Sequence, residues 1–451
     1  MVNTLLERRR FGVPYVQVVL HVFLGLILFS CKPNFQESIK KHDPNQPLVL
    51  SEFYPLEGGA REKVLLDGMN FGSDPKAVRV YFNKAKASVI SANGDRIYVI
   101  VPRLPGDTCR ISVAVGKDSM TYEQSFQYHK QALVSTVTGN GTKLFKAGTL
   151  AEAQVYARYL ITDEEGNVFA SFRDGGAFGL ARITEKQNIV TPIMVNPDNK
   201  IMTPNAVTIQ PKTGVLAVAA DQPKELFYTF DPREGWAPRM RNIKYTTKQL
   251  SSIVDKDRFK NFMSYCPYDG HIYTRYRDGS IAKVNPETLE AEIIYKTAIG
   301  SQYGQAFNPK KPWLLYITLA GNTRPNYRQG IMTLDIRDPK GSGGLKRLNA
   351  IGGGSHRDGP VKDAVFNQPR AIDFDSDGNL FIADFGNNCI RMLSSEGVVE
   401  TVAGIPGTRG YKDGGPEIAL FNQPWGVAVN QEGVIYIADY GNARIRKLVI
   451  E

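Results

Sequence analysis

The feature that most constrains this chain is a repeat of 55 residues near its C-terminus. Phe366-Asn367-Gln368-Pro369-Arg370-Ala371-Ile372 returns as Phe421-Asn422-Gln423-Pro424-Trp425-Gly426-Val427, and Leu380-Phe381-Ile382-Ala383-Asp384 returns as Ile435-Tyr436-Ile437-Ala438-Asp439. Asp358-Gly359 returns as Asp413-Gly414. One unit of this size cannot bury its apolar faces alone, so copies must pack on one another, and the period is that of a propeller blade. Weaker copies start near Arg158, Pro204, Phe262 and Tyr303, which makes six starts. Residues 133–451 number 319, and division by 55 gives about 5.8. The expectation is an all-β chain with a six-bladed β-propeller over 133–451. Val399-Glu400-Thr401-Val402-Ala403-Gly404 leads out of one blade, and Val134-Ser135-Thr136-Val137-Thr138-Gly139 matches it ahead of the first blade. The N-terminal strand is therefore expected to complete the last blade, beside Ile445–Ile450, and so remove an exposed edge.

The two clear copies resemble the NHL repeat through Asp384…Asn387-Asn388-Cys389-Ile390-Arg391 and Asp439…Asn442-Ala443-Arg444-Ile445-Arg446. The physical reading of these residues is structural. An Asp at a strand end accepts backbone N–H groups of the following turn, and Asn tolerates the left-handed conformation. Asp358-Gly359 and Asp413-Gly414 read as turn formers.

Residues 48–129 alternate as strands of a sandwich do. Val78-Arg79-Val80-Tyr81-Phe82, Arg96-Ile97-Tyr98-Val99-Ile100-Val101 and Arg110-Ile111-Ser112-Val113-Ala114-Val115 are separated by Asn93-Gly94-Asp95 and Pro105-Gly106-Asp107. Tyr54-Pro55, Gly58-Gly59, Val64-Leu65-Leu66-Asp67-Gly68-Met69-Asn70-Phe71-Gly72 and Val99-Ile100-Val101-Pro102 resemble an IPT/TIG domain. The resemblance implies an immunoglobulin-like sandwich over 47–130 and no particular function.

The N-terminus reads as a targeting segment. Arg8-Arg9-Arg10 precede an apolar run, Val13 to Phe29, that stops at Ser30-Cys31. That order is a signal peptide, residues 1–30, and the Cys after a small residue resembles a lipobox. The competing reading is an uncleaved anchor, and the abrupt stop at Ser30-Cys31 favours cleavage. Residues 31–46 are polar and Pro-bearing, as a tether is. Lipidation of Cys31 puts the protein at an outer membrane or cell surface, bound to lipid by its anchor alone. Cleavage removes three Arg and one Glu and lowers the formal net charge from +10 to +8. A basic surface attracts anions, but export makes nucleic acid a poor partner. Cys109, Cys266 and Cys389 are odd in number and far apart, which suits buried free thiols. Only His271 and His356 fall in the propeller, so neither a metal centre nor any other cofactor is expected.

Propellers bind where loops converge over the channel. Repeat alignment puts Arg158, Asn205, Phe262, Tyr303, Arg370 and Trp425 where each innermost strand begins. They vary while the strands they open stay apolar. Arg with Tyr and Trp suits sugars, because aromatic faces stack on C–H surfaces and Arg donates to hydroxyls or carboxylates. The competing reading is a channel plugged by side chains and water. On the binding reading these six face an open channel, so truncating Trp425 or Arg370 costs little stability. The whole architecture resembles accessory lipoproteins of Bacteroidetes that occur beside glycan-import machinery. The resemblance implies a non-catalytic protein holding a glycan or another polar or anionic ligand, with an outer-membrane protein as a candidate partner. Two alternatives are a propeller lyase or hydrolase, and a protein–protein scaffold in the envelope. No nucleophile–base or paired-carboxylate pattern supports the enzyme reading.

One outcome is testable at once. Mass spectrometry of the chain from native membranes should find a lipidated Cys31 at the N-terminus. An intact Met1 or an unmodified Cys31 would overturn this.

Overall fold

A computed structural model of the chain describes residues 41–451 except 61, 103–107, 130–131, 174–176, 197–202, 221–224, 254–259, 297–300, 322–327, 352 and 451. The targeting segment and Cys31 lie outside the described residues. Among the described residues no helix is long and apolar enough to cross a membrane.

The N-terminal part is a sandwich of two sheets. One holds Val49–Tyr54, Lys63–Met69, Arg96–Ile100 and Ser88–Ala92, and the other is built on Asp118–Tyr128, Thr108–Val115 and Val78–Phe82. Alternation sets the inward face: Cys109, Ile111, Val113 and Val115 are buried along one strand, and Ile97 and Val99 along another. The Tyr122 hydroxyl of the second sheet donates to the Asp67 carbonyl of the first at 2.9 Å. The end of the expected tether is pinned to this unit. Asn70 accepts the Asp43 N–H at 2.8 Å and donates to the Asp43 and Gln46 carbonyls at 2.9 and 2.8 Å.

After the sandwich the described residues form six antiparallel sheets. Their innermost strands are Ala157–Thr162, Pro204–Ile209, Lys260–Tyr265, Ser301–Asn308, Pro369–Phe374 and Pro424–Val429, here numbered as blades one to six. Each innermost strand packs on the next, and that of blade six packs on that of blade one. The second strands Leu216–Ala220, Ile272–Tyr276, Leu380–Asp384 and Ile435–Asp439 are buried along their whole length. A strand covered on both faces has no polar side to alternate with, which is why Leu216–Ala220, Leu380–Ala383 and Ile435–Ala438 read as unbroken apolar runs, while Ile272–Tyr276 buries Thr274 and Arg275. The core lies between blades. Val155 and Phe172 of blade one pack with Ala428, Tyr436 and Ile445 of blade six.

The ring closes as its ends require. Ala132–Thr138 pairs antiparallel with Arg444–Ile450, from Ala132 opposite Ile450 to Thr138 opposite Ile445. The last sheet therefore holds both ends of the propeller, and Val134 and Val137 are buried in two different core clusters. Deleting 133–139 strips this strand, exposes the Arg444–Ile450 edge and opens those clusters. Calorimetry should show the cooperative propeller transition lost or sharply lowered. Removing 48–129, whose core is its own, should leave that transition near its original temperature. A short deletion that melts like the intact chain would disprove this closure.

Candidate functional site

Each innermost strand opens with a break in register, and the break aims the candidate side chains. Arg158 is an extra residue between Ala157, opposite Phe172, and Tyr159, opposite Ser171. Tyr303 sits likewise between Gln302 and Gly304, and Trp425 between Pro424 and Gly426. Arg370 and Asn205 fall in the same gap of their strands. A bulge leaves one residue unpaired and turns its side chain out of the sheet. Blade three departs from the alignment. Its extra residue is Asn261, between Lys260 and Phe262, so Phe262 stands one place further on, where other blades carry Tyr159 or Gly426. The glycines at that next position let strands meet. A Cβ on Gly426 would lie 2.5 Å from the Arg158 carbonyl oxygen, and one on Gly304 would lie 2.3 Å from that of Arg370.

The structure brings four of the six expected residues into one cluster. The guanidinium carbon of Arg370 lies 3.6 Å from the Tyr303 ring centre, 4.1 Å from that of Trp425 and 4.3 Å from that of Phe385. That of Arg158 lies 4.8 Å from the Trp425 ring and 5.5 Å from Tyr440, whose hydroxyl accepts its Nη2 at 3.3 Å. Phe262 joins through Tyr159, which packs edge-on against both Phe262 and Trp425. Asn205 is buried beside Ala206 of the same apolar cluster. Tyr159, Phe385 and Tyr440 were not singled out from the sequence. The aromatic in Asp384-Phe385-Gly386-Asn387 and Asp439-Tyr440-Gly441-Asn442 was the signal for two of them.

The cluster is closed rather than an open face, which corrects the expectation that truncation there costs little stability. Trp425 is 9% exposed and Arg370 8%. Removing a Trp so enclosed costs about 3–5 kcal/mol. Four buried donor atoms have no hydrogen-bond acceptor among the described residues: Arg158 Nε, Arg370 Nε and Nη1, and Trp425 Nε1. Burial lowers the Arg370 pKa, and the Arg158 charge adds to that. Burial raises the Tyr440 phenol, but the neighbouring Tyr156 hydroxyl and the cations Arg158 and Lys143 outweigh it, and the net shift is downward. The local field is positive.

The repeat residues hold this cluster in place. Arg391 is fully buried and donates from Nη1 to Asp384 Oδ2 at 2.9 Å and from Nε to Asp358 Oδ1 at 2.9 Å. Asp384 Oδ1 accepts the Asn367 N–H at 2.8 Å, and Oδ2 accepts Asn387 Nδ2 at 2.8 Å. One carboxylate thus ties the loop that leads to Arg370 and the turn that carries Phe385. Blade six repeats it with Arg446, Asp439, Asp413, Asn422 and Asn442, around Trp425 and Tyr440. Two expectations are corrected. Asp384 and Asp439 take a backbone N–H from the loop before the innermost strand, and from the following turn only an Asn side chain. Asp358 and Asp413 are ion-pair partners beyond any turn role, because a buried guanidinium needs acceptors on every side. Asp358 also accepts the Thr401 N–H at 3.1 Å, and Asp413 the Thr136 N–H at 3.1 Å. The sequence match between those two strands has this cause. Blade one lacks the clamp. Strand register puts Phe172 in the place of Asp384 and Ala181 in that of Arg391.

The propeller histidines stand apart, on blades three and five. His271 Nδ1 lies 2.9 Å from the Asp269 carbonyl oxygen, and His356 Nε2 lies 2.8 Å from Thr401 Oγ1. Cys109, Cys266 and Cys389 are buried free thiols.

Arg391→Met should cost about 3–5 kcal/mol in denaturant unfolding, because it leaves Asp384 buried and uncompensated. The pair Asp384→Phe with Arg391→Ala copies blade one and should recover part of that loss. Equal stability of Arg391→Met and the native chain would refute the clamp.

Comparison with known proteins agrees with this architecture. The IPT/TIG domain model matches residues 48–128, and the NHL-repeat model matches 366–392 and 421–448. A Bacteroides thetaiotaomicron protein of unknown function is similar at a TM-score of 0.75 and 24% identity, covering 91% of this chain and 100% of that one. An auxiliary nutrient binding protein from the same species is similar at a TM-score of 0.58 and 23% identity, covering 91% and 99%. At these identities the likeness is one of fold. The chloroplastic protein SUPPRESSOR OF QUENCHING 1 of Arabidopsis thaliana is 35% identical over 91 residues, 20% of this chain, and the chain spans 8% of that protein's length. The chain is an all-β protein that carries an IPT/TIG domain followed by a propeller with NHL repeats.

Proposed function

We propose that this chain is a non-catalytic envelope lipoprotein, anchored through Cys31, whose propeller channel face holds a glycan or other polar ligand for capture. The observation that carries the reading is the set of unmet donors on Arg158, Arg370 and Trp425 among aromatic rings. Each buried donor without a partner costs about 1–3 kcal/mol, and a ligand that supplies acceptors removes that penalty. Aromatic rings at the same place supply stacking surfaces for sugar C–H faces. The name of the similar nutrient binding protein supports an accessory binding role of this kind. The lyase or hydrolase alternative needs a base and a metal or nucleophile on one face. His271 and His356 sit on separate blades and are engaged with a carbonyl and a threonine.

The test is a glycan array with the detergent-solubilised full chain. Binding to a defined glycan class is expected, and Arg158→Gln should weaken it by about 1–2 kcal/mol, a typical loss at a binding contact. Circular dichroism would confirm the fold of the variant. Turnover of the bound glycan would favour the enzyme. An array without binding, together with an envelope protein that co-purifies stoichiometrically, would favour the scaffold.

A further inference from the structure

Within that glycan-binding reading, on which this rests, we infer that the channel-face site selects an acidic sugar and seats its carboxylate between Arg158 and Arg370. The four unmet atoms of the site are all donors. A sugar hydroxyl both donates and accepts, and these four atoms can meet only its oxygen. A carboxylate only accepts, and its bonds to guanidinium are charge-assisted. The charge balance points the same way. Arg158 and Arg370 lie over the same Trp425 ring, at 4.8 and 4.1 Å, and neither forms an ion pair among the described residues. Two fully buried guanidinium groups elsewhere in this propeller are neutralised by carboxylates, while a third, Arg275, donates to the Gly304 carbonyl. Arg391 has Asp384 and Asp358, and Arg446 has Asp439 and Asp413. The two clamp arginines thus carry carboxylates, and the described residues place none on Arg158 or Arg370. Lys143, 5.6 Å from the Tyr156 ring that stacks on Tyr440, adds a third cation at the rim of this cluster. The rings lie against the two cations and offset part of their desolvation. The Tyr440 hydroxyl accepts Arg158 Nη2, while Arg158 Nε and Arg370 Nε and Nη1 keep no acceptor among the described residues.

Isothermal titration of the full chain in detergent would use oligogalacturonate, alginate and hyaluronan oligosaccharides, each beside its neutral methyl ester, and a sulfated chondroitin oligosaccharide. At least one carboxylate form should bind about tenfold or more tightly than its ester, as a charge-assisted bond predicts. The difference should shrink as salt rises. Arg158→Gln and Arg370→Gln should each erase the preference, with melting curves to confirm folding. If either arginine variant fails to fold, Arg158→Lys gives the same readout through a smaller loss of preference. Equal binding of acid and ester would overturn the inference and leave the glycan-binding reading standing. Tighter binding of the sulfated probe would assign the site to sulfate and overturn the carboxylate. Binding that falls with salt yet ignores Arg158→Gln would place the anion on the general basic surface and overturn the site. Failure of every acidic and neutral glycan would overturn both readings.

Discussion

The buried arginine clamp is the interaction on which the propeller depends. Arg391 lies under Phe366 and reaches Asp384 at the end of the second strand and Asp358 in the segment ahead of the innermost strand. Through Asp384 it holds the loop before the innermost strand, and through Asp358 it holds the outermost strand by Thr401. In blade six the strand held in this way is the N-terminal one, because Asp413 accepts both the N–H and the hydroxyl of Thr136. Ring closure is thus fixed by the same group that organises a single blade. Desolvation takes back much of what such a clamp contributes, so it adds little net stability over apolar packing. Blade one fills those places with Phe172 and Ala181, and Phe172 stacks on Phe145 with ring centres 4.2 Å apart. The clamp contributes definition. It permits one arrangement of four strands and two loops, and a shifted arrangement leaves a charge buried alone.

That definition is what the channel face uses. The clamps of blades five and six sit directly behind the turns of Phe385 and Tyr440 and the loops that lead to Arg370 and Trp425. A cluster of two unpaired cations repels itself and tends to open. Here the rings of Tyr303, Phe385, Trp425 and Tyr440 are held from behind, so the guanidinium groups stay among them. Bulges supply the aim and glycines the proximity. Gly304 and Gly426 sit where a side chain would strike the carbonyl oxygen of the neighbouring strand. The freed carbonyls find donors in turn: Thr318 Oγ1 donates to the Arg370 carbonyl at 2.8 Å, and Arg275 Nη1 to that of Gly304 at 3.0 Å.

The sequence by itself determined the repeat, the strand starts and the closing strand. These were legible because burial on both faces forces apolar runs, and because one chemistry recurs at a fixed spacing. It also determined that Arg158, Tyr303, Arg370 and Trp425 hold equivalent places, since their flanks repeat. Only the tertiary structure decided the rest. Phe262 looked equivalent by repeat alignment, and a single unpaired residue, Asn261, shifted it by one place. A bulge depends on cross-strand pairing, and one strand's residues do not record it. Asp358 and Asp413 looked like turn formers because Asp before Gly is common in turns. Their partners lie 33 residues further along the chain and meet them only when the blade closes. The seclusion of Trp425 and Arg370 was likewise hidden. It comes from side chains of blades four, five, six and one meeting at the axis, a proximity that no local pattern encodes.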